Sequence, residues 1–357
     1  MSDAQVWFCD GLYGDRLAVA TAQSVRGSKK LGAGSTGSAT LVYDPDRFTP
    51  SEWRALTSPW ECMIAIIRGE KVEVIGYITG LSYKRGSNVE SFPLTDLWSV
   101  LGRRGAWDHD VPQMKTWKAT VTGSLARHAS YALIRSRDTG PTFPQTMLPT
   151  RIPGQPDGTL SKTYYGYHGE TVADVWDGLA KRGLEIYLKP VLQTTVRGVQ
   201  WEFQAGAPYS SGVTREYFVT AEDSPISEFT VDVDAMRVTN NSYWMGEGSE
   251  VDVLARSQRD TDSWLPLLER VDVDKSVTDA DELSDRAWQT LRDYGEPTSQ
   301  WSFKLRTDVA PDVGDTVRLH FHGDRRITDG WHTRRVVAVD VDLSEFVTVS
   351  VQPTGGA

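Results

Sequence analysis

The stretch Glu61-Cys-Met-Ile-Ala-Ile-Ile-Arg-Gly-Glu-Lys-Val-Glu-Val-Ile-Gly-Tyr-Ile-Thr-Gly-Leu81 decides the character of the chain. An apolar run from Met63 to Ile67 reaches Arg68-Gly-Glu-Lys71, and a second β-branched run follows from Val72. That pattern predicts a hairpin with strands over 61–68 and 72–81. Just upstream, Thr49-Pro-Ser-Glu52 is a capping box with proline at the first helical position, which predicts a short helix through Leu56. Gln5 to Phe8 and Thr40 to Tyr43 are further β-prone runs. Between them Gly27 to Gly37, with Lys29 and Lys30, reads as a flexible segment rich in turn residues. Residues 1–104 are therefore expected to form an N-terminal β-barrel or sandwich with one helical excursion.

The texture then changes. Leu94, Leu97, Trp98 and Leu101 fall at helical spacing, and a second helix is expected over 122–135, where Leu125, Ala129, Ala132 and Leu133 share a face. Five prolines between Pro141 and Pro156 predict an extended surface connection. Thr171 and Asp174 form a capping pair, Val172, Val175, Trp176 and Leu179 repeat at helical intervals, and Gly183 marks the stop. Strands over 184–188 and 198–203 complete an α/β insert domain, 105–206. A β-rich domain with a long helix is read over 207–298, with strands at Arg215 to Val219, Phe229 to Val233 and Glu250 to Leu254. Its helix is capped by Thr278, turns Leu283, Ala287, Trp288 and Leu291 inward and ends at Gly295. A C-terminal β-barrel is read over 299–357, from the turn and strand of Val313 to Leu319 and the strands Trp331 to Val341 and Phe346 to Val351. It echoes the N-terminal barrel in pattern, a weak internal duplication.

Composition narrows the function. The 357 residues carry 38 Lys and Arg against 48 Asp and Glu, a formal net charge of −10, which disfavours a protein that wraps nucleic acid through a basic face. Cys9 and Cys62 are too few for a disulfide scaffold and lack zinc-ligand spacing, so two reduced thiols are expected. The N-terminus shows no basic segment leading into an apolar run, and no stretch approaches the roughly 18 to 20 apolar residues that cross a bilayer. No membrane span is expected, and the chain is expected to stay where it is made unless it leaves inside a larger particle. Arginine outnumbers lysine 27 to 11, which fits a GC-rich genome.

Catalytic and ligand-binding signatures are not found. Asp108-His109-Asp110 offers a histidine between two carboxylates, but adjacent loop side chains point apart, and a solvated loop is expected. His320 and His322 would share a strand face, with His332 across a hairpin, yet no carboxylate at matching spacing completes a metal site. His128 sits on the apolar side of its helix, as a core or interface histidine does. Tyr164-Tyr-Gly-Tyr-His168 forms an aromatic loop that could stack a sugar or another subunit. Lys29 and Lys30 in the glycine-rich segment fit neither phosphate-cradling pattern, and neither GxSxG nor HExxH occurs. The expectation is no catalytic residue, no cofactor-binding residue, no cofactor and no metal.

The order of these pieces, with three local stretches, resembles the baseplate-hub family of tailed bacteriophages, which includes the tail-associated (minor tail) proteins of siphophages. The stretches are Glu73-Val-Ile-Gly-Tyr-Ile-Thr79 with Val89 to Arg103; Thr171 to Leu188 with Trp201-Glu-Phe203; and Pro311-Asp-Val-Gly-Asp-Thr-Val317 with the closing strands. The resemblance implies a mainly β chain with α+β insertions, comprising two related tail-tube-like β-barrel domains plus α/β and β-rich hub domains. It implies a non-enzymatic homotrimer, a ring at the distal tail tip of the virion that joins the tail tube to tip or fibre proteins. Its partners would be the distal tail, tape measure and tip or fibre proteins, and DNA would pass through its channel without specific binding. Assembly would take place in the host bacterial cytoplasm, and the arginine bias would point to a GC-rich host. Many such proteins continue into a lytic or fibre domain, whereas this chain stops at Ala357, so lytic activity is expected in a separate protein. The competing readings are a phage-tail cell-wall hydrolase, resting on the 164–168 aromatics and the dispersed carboxylates, and a carbohydrate-binding adsorption protein, resting on the same aromatics. Gly27 to Gly37 is expected to order against a neighbouring tail protein.

Overall fold

The computed structural model describes residues 4–106, 114–138, 146–194 and 197–353. They form two compact units, one of residues 1–227 and 304–349, the other of 228–303 and 350–357. The chain is mainly β, with five α-helices among the described residues.

In the first unit, β1 (Gln5–Asp10), β2 (Arg16–Lys30), β3 (Thr36–Val42), α1 (Pro50–Leu56), β4 (Cys62–Arg68), β5 (Lys71–Ile78), β6 (Ser82–Tyr83) and β7 (Val89–Thr95) follow in order. The expected hairpin is β4–β5, with Met63 opposite Tyr77 and Ile66 opposite Val74. The expected capping box holds α1: the Thr49 hydroxyl accepts from the Glu52 amide while the Glu52 carboxylate accepts from the Thr49 amide. The pairings run β1–β4–β5–β7–β3–β2 and return from β2 to β1, so six strands are linked in a closed round. Its narrowest join, β5–β7, is two residue pairs long. The interior is dense, with Phe8, Ala39, Leu41, Ile64, Ile66 and Ile78 fully buried.

The segment Gly27 to Gly37 is mostly strand, which corrects the expected flexible loop. Gly27 to Lys30 end β2 and Thr36 begins β3, leaving a turn over 31–35. These glycines serve close approach. A Cβ on Gly27 would stand 2.4 Å from Val74 Cγ1, and one on Gly37 would stand 2.3 Å from the Arg26 carbonyl oxygen. Side chains there would push β2 off β5 and β3.

Then come α2 (Leu97–Leu101), β8 (Lys118–Gly123), α3 (Leu125–Asp138), β9 (Thr150–Arg151), β10 (Leu160–Tyr165), α4 (Val172–Ala180), β11 (Glu185–Leu192) and β12 (Val199–Gly206). The Thr171–Asp174 capping box is present. Trp176 anchors the insert: it is fully buried, donates from Nε1 to the Ala129 carbonyl at 2.9 Å, and lies 4.9 Å from the Trp98 ring and 5.7 Å from Phe203. Tyr77 stacks on Trp201 at 5.6 Å, so the insert and the outer face of the first strands share one apolar core.

The chain continues as β13 (Thr214–Phe218) and enters the second unit within β14 (Ile226–Asp234). That unit holds β15 (Asn241–Met245), β16 (Ala255–Arg259), β17 (Glu269–Val273) and α5 (Ala280–Tyr294), and the chain leaves it within β18 (Thr298–Arg306). Three expectations are corrected here. Glu250 to Leu254 is not a strand, because Gly248 (φ +100°) and Glu250 (φ +52°) turn the chain into a 3₁₀ turn before β16. The N-cap of α5 is Asp279, not Thr278, its side chain accepting from the Asp281 amide at 2.8 Å. Trp288 is 48% exposed, since Leu283, Ala287 and Leu291 at intervals of four define the buried stripe and Trp288 lies one step round from it.

Back in the first unit are β19 (Thr316–Phe321), β20 (Gly330–Asp342) and the start of β21 (Phe346–Pro353), whose residues from Ser350 on belong to the second unit. β13 runs parallel to β19, β19 pairs with β20, and β20 pairs with both β21 and β2. Strands from the two ends of the sequence thus form one sheet through Arg26–Lys30 and Ala338–Asp342.

Two substitutions separate the roles of glycine. Gly27→Ala is expected to lower the unfolding free energy by about 1 to 3 kcal/mol through overpacking against Val74. Gly178→Ala, exposed in α4 with no atom near the added Cβ, is expected to raise it by about 0.5 to 1 kcal/mol. Urea titrations read both.

Candidate functional site

The joint between β2 and β20 adjoins a buried cluster of charged side chains. β2 alternates near its end, so Val25, Gly27 and Lys29 point inward and Arg26 and Lys30 outward. Lys29 is therefore buried, at 5% exposure. Its ammonium lies 3.4 Å from Glu73 Oε2 on β5 and 3.1 Å from Asp312 Oδ1 in the turn before β19. Lys71 approaches Glu73 at 3.2 Å, and Lys189 on β11 approaches the other Asp312 oxygen at 3.3 Å. The Tyr187 hydroxyl donates to Asp312 at 3.0 Å.

The turn Pro311-Asp-Val-Gly-Asp315 presents these acids. Its glycine adopts φ +85°, and a Cβ there would stand 2.3 Å from the Tyr209 ring. Asp315 is buried and accepts from Ser211 Oγ at 2.6 Å, Arg215 Nε at 3.2 Å and the Asp312 amide at 2.9 Å. Beside it, Arg335 of β20 makes a two-pronged contact with Glu185 of β11, and the Tyr209 amide donates to the same carboxylate at 2.8 Å. A cleft of about 1080 Å³ opens over the cluster.

Electrostatics fix the charge states. Burial pushes the Asp312 carboxyl up, but the ammonium groups of Lys29, Lys189 and Lys71 outweigh it and hold it well below the usual carboxylate range. Burial pushes Lys29 down, and Asp312 and Glu73 together bring it above its ordinary value. Burial raises the Tyr187 phenol far up, assisted by Asp312, and raises Tyr209 to about 12. Asp312 and Lys29 are thus held charged, and the Tyr187 and Tyr209 phenols are held neutral. Lys71 is lowered by burial and by Lys29. Chemically, the arrangement is a set of fixed ion pairs joining β2, β5, β11, β20 and the 311–315 turn.

The residues singled out in the sequence fall elsewhere. Asp108, His109 and Asp110 lie outside the described residues. His320 and His332 occupy opposite sheet faces: His320 packs 5.3 Å from Phe218 and 5.0 Å from Trp331, while His332 lies against Phe321 and bonds the Thr328 carbonyl at 2.7 Å. His322 lies beyond the end of β19, 2.9 Å from Asp329, which corrects the shared strand face. No group of three or more His, Cys, Asp or Glu placed to hold a metal occurs among the described residues. His128 is fully buried between the Tyr164 hydroxyl (2.9 Å) and the Leu160 carbonyl (3.1 Å), and burial lowers its pKa. The aromatic loop divides: Tyr164 is buried, while Tyr165, Tyr167 and His168 cluster with ring centroids 4.7 to 5.4 Å apart and Tyr167 58% exposed. Cys9 and Cys62 are free and buried, with burial raising their thiols to about 12 and about 11. No described helix is long and apolar enough to cross a membrane.

The chain matches no known family model and no curated protein. Solved structures do share its fold. It is similar to the 43 kDa tail protein of prophage MuSo2 from Shewanella oneidensis, with 11% identity over 98% of each chain and a TM-score of 0.58. It is similar also to a tail protein from Neisseria meningitidis MC58, with 15% identity over 99% of this chain and 97% of the other, TM-score 0.58. The prophage tail protein gp18 from Listeria monocytogenes EGD-e aligns over 100% of this chain and 96% of its own, with 12% identity and a TM-score of 0.51. The chain thus has the fold of phage tail proteins along its whole length.

Two variants probe the joint. Lys29→Met leaves Glu73 and Asp312 without their shared cation and is expected to cost about 3 to 5 kcal/mol in urea unfolding. The folded pKa of Asp312 lies below the roughly 3.9 of an unfolded chain, so its contribution is complete above that value and is lost as pH falls through the folded one. Between about pH 5 and pH 2 the natural chain should lose stability more steeply than Asp312→Asn.

Proposed function

We propose that the chain is a non-enzymatic structural hub of a phage tail, a minor tail or baseplate-hub protein at the distal tip of the virion. The observation that carries this reading is the near end-to-end match, 98% of each chain, to a phage tail protein. A fragment match would speak for one borrowed module, whereas an end-to-end match speaks for the same architectural task. On this reading the protein is a homotrimer whose two strand sets are related barrel domains, within the four-part division 1–104, 105–206, 207–298 and 299–357. The closed round of six strands supports the first barrel, and the β2–β20 joint would hold the second beside it. Three copies would then set six barrels around an axis, matching a sixfold tube to threefold tip or fibre proteins. Distal tail and tape measure proteins would be its other neighbours, with assembly in the host cytoplasm. DNA would slide through the channel, since residues outside 228–303 balance thirty-one Lys and Arg against thirty-one Asp and Glu.

Light scattering of the purified chain with class averages in negative stain tests this. The expected particle is a ring of about 120 kDa, three times the 39.7 kDa chain, with a central hole. A strict monomer at all concentrations and in the presence of tail-tube protein would count against it. The exposed Tyr167 and His168, with the half-buried Tyr165 beside them, favour one second reading, a carbohydrate-binding adsorption protein. If Tyr165→Ala with His168→Ala abolishes binding to host cell-wall glycan, that reading gains; unchanged assembly and no glycan effect leave the plain hub.

A further inference from the structure

The charge of the chain is partitioned. Residues 228–303 hold seventeen Asp and Glu against seven Lys and Arg, so this segment alone carries the net −10. Fifteen of those carboxylates are exposed, and Asp272 and Asp274 are half-buried.

The second unit also has a bare sheet face. β15 lies between β16 and β17, and α5 packs on β15 and β16 from one side. Trp244 donates from Nε1 to Thr290 of α5 at 2.9 Å, and Arg270 lies 4.3 Å from the Tyr294 ring, so these side chains mark the helix side. Alternation sends Tyr243, Met245, Val271 and Val273 to the other side. The register aligns them in two rows, Ala255–Met245–Val273 and Ser257–Tyr243–Val271. Val271 and Val273 remain 55% and 57% exposed. Immediately before β17, Trp264 is wholly exposed, with Leu265 and Leu267 exposed beside it. β17 pairs with β15 alone, and among the described residues no strand lies along its outer edge.

An edge strand with exposed valines beside an exposed tryptophan is an aggregation liability in isolation and a ready template for strand addition. Electrostatics select what can come. A second copy of this unit, an anionic lipid surface and a nucleic acid are all repelled by ten negative charges, whereas a cationic segment is drawn in. We infer that β17 and the Trp264 loop take an extended segment of another protein that alternates apolar residues with lysine or arginine. The segment adds as a strand to the outer edge of β17, its apolar side chains covering Val271, Val273 and Trp264 and its cations lying among the carboxylates. The inference stands on the second unit by itself and does not depend on the tail assignment.

The test titrates the full chain with the synthetic peptide Lys-Val-Lys-Val-Lys-Val-Lys, with its Glu-Val counterpart and with phosphatidylglycerol vesicles, followed by calorimetry and hydrogen exchange. The expected result is binding of the lysine peptide only, with slowed exchange over residues 269–273. Affinity should fall about tenfold or more between about 0.02 M and 0.5 M salt, as screening predicts. Val271→Ser with Val273→Ser, and separately Trp264→Ser outside the strand, should each weaken binding about tenfold, a loss of about 1.4 kcal/mol. Unchanged affinity in both variants would mean diffuse charge attraction and overturn the docking site. So would absence of peptide binding, or binding to vesicles instead.

Discussion

An ammonium group buried between two carboxylates is the constraint around which the first unit is built. Removing Lys29 from water is costly unless opposite charges and hydrogen bonds replace its hydration. Glu73 arrives from β5, Asp312 from the turn before β19, and Tyr187 and Lys189 of β11 complete the shell. Each comes from a different part of the sequence, so the charge is compensated only when all four parts are in place. A one-residue slip that put Ser28 in the place of Lys29 would leave Glu73 and Asp312 without the cation between them. Ion pairs of this kind add little net stability compared with a well-packed apolar core, and their strength lies in choosing one register over its neighbours. That choice joins the strands from the two ends of the chain into one sheet.

Local signals in the sequence carried much of this architecture. The capping boxes at Thr49–Glu52 and Thr171–Asp174, the 61–81 hairpin and the Trp176 helix are set by residues within a few positions of one another, and all are present. The β2–β20 joint was not legible, because its information is non-local. Gly27 and Lys29 have low strand propensity and read as a loop until Val74 is seen packing on the first and Asp312 pairing with the second. The Pro311–Val317 turn was visible as a stretch of interest, but nothing in it announces that Asp312 meets Lys29. The three histidines show the converse: strand alternation allowed them one face, and the observed register places His320 and His332 on opposite ones.

Net charge read over the whole chain was also misleading as an average. The first unit is close to neutral, and the acidity belongs to the small second unit, whose three-stranded sheet β16–β15–β17 has α5 on one face and leaves the valines of the other exposed. Division of labour follows: a neutral, heavily cross-tied body, and an acidic module with an open strand edge.

Native-state hydrogen exchange of the β2–β20 joint tests the account most directly. If the Lys29 cluster binds the two strand sets into one cooperative body, the amides of 26–30 and 338–342 that bridge the strands exchange only with global unfolding, and Lys29→Met lets them open earlier as a group. If those amides already exchange by local opening in the natural chain, at the rate of surface turns, the joint is not what holds the two ends together.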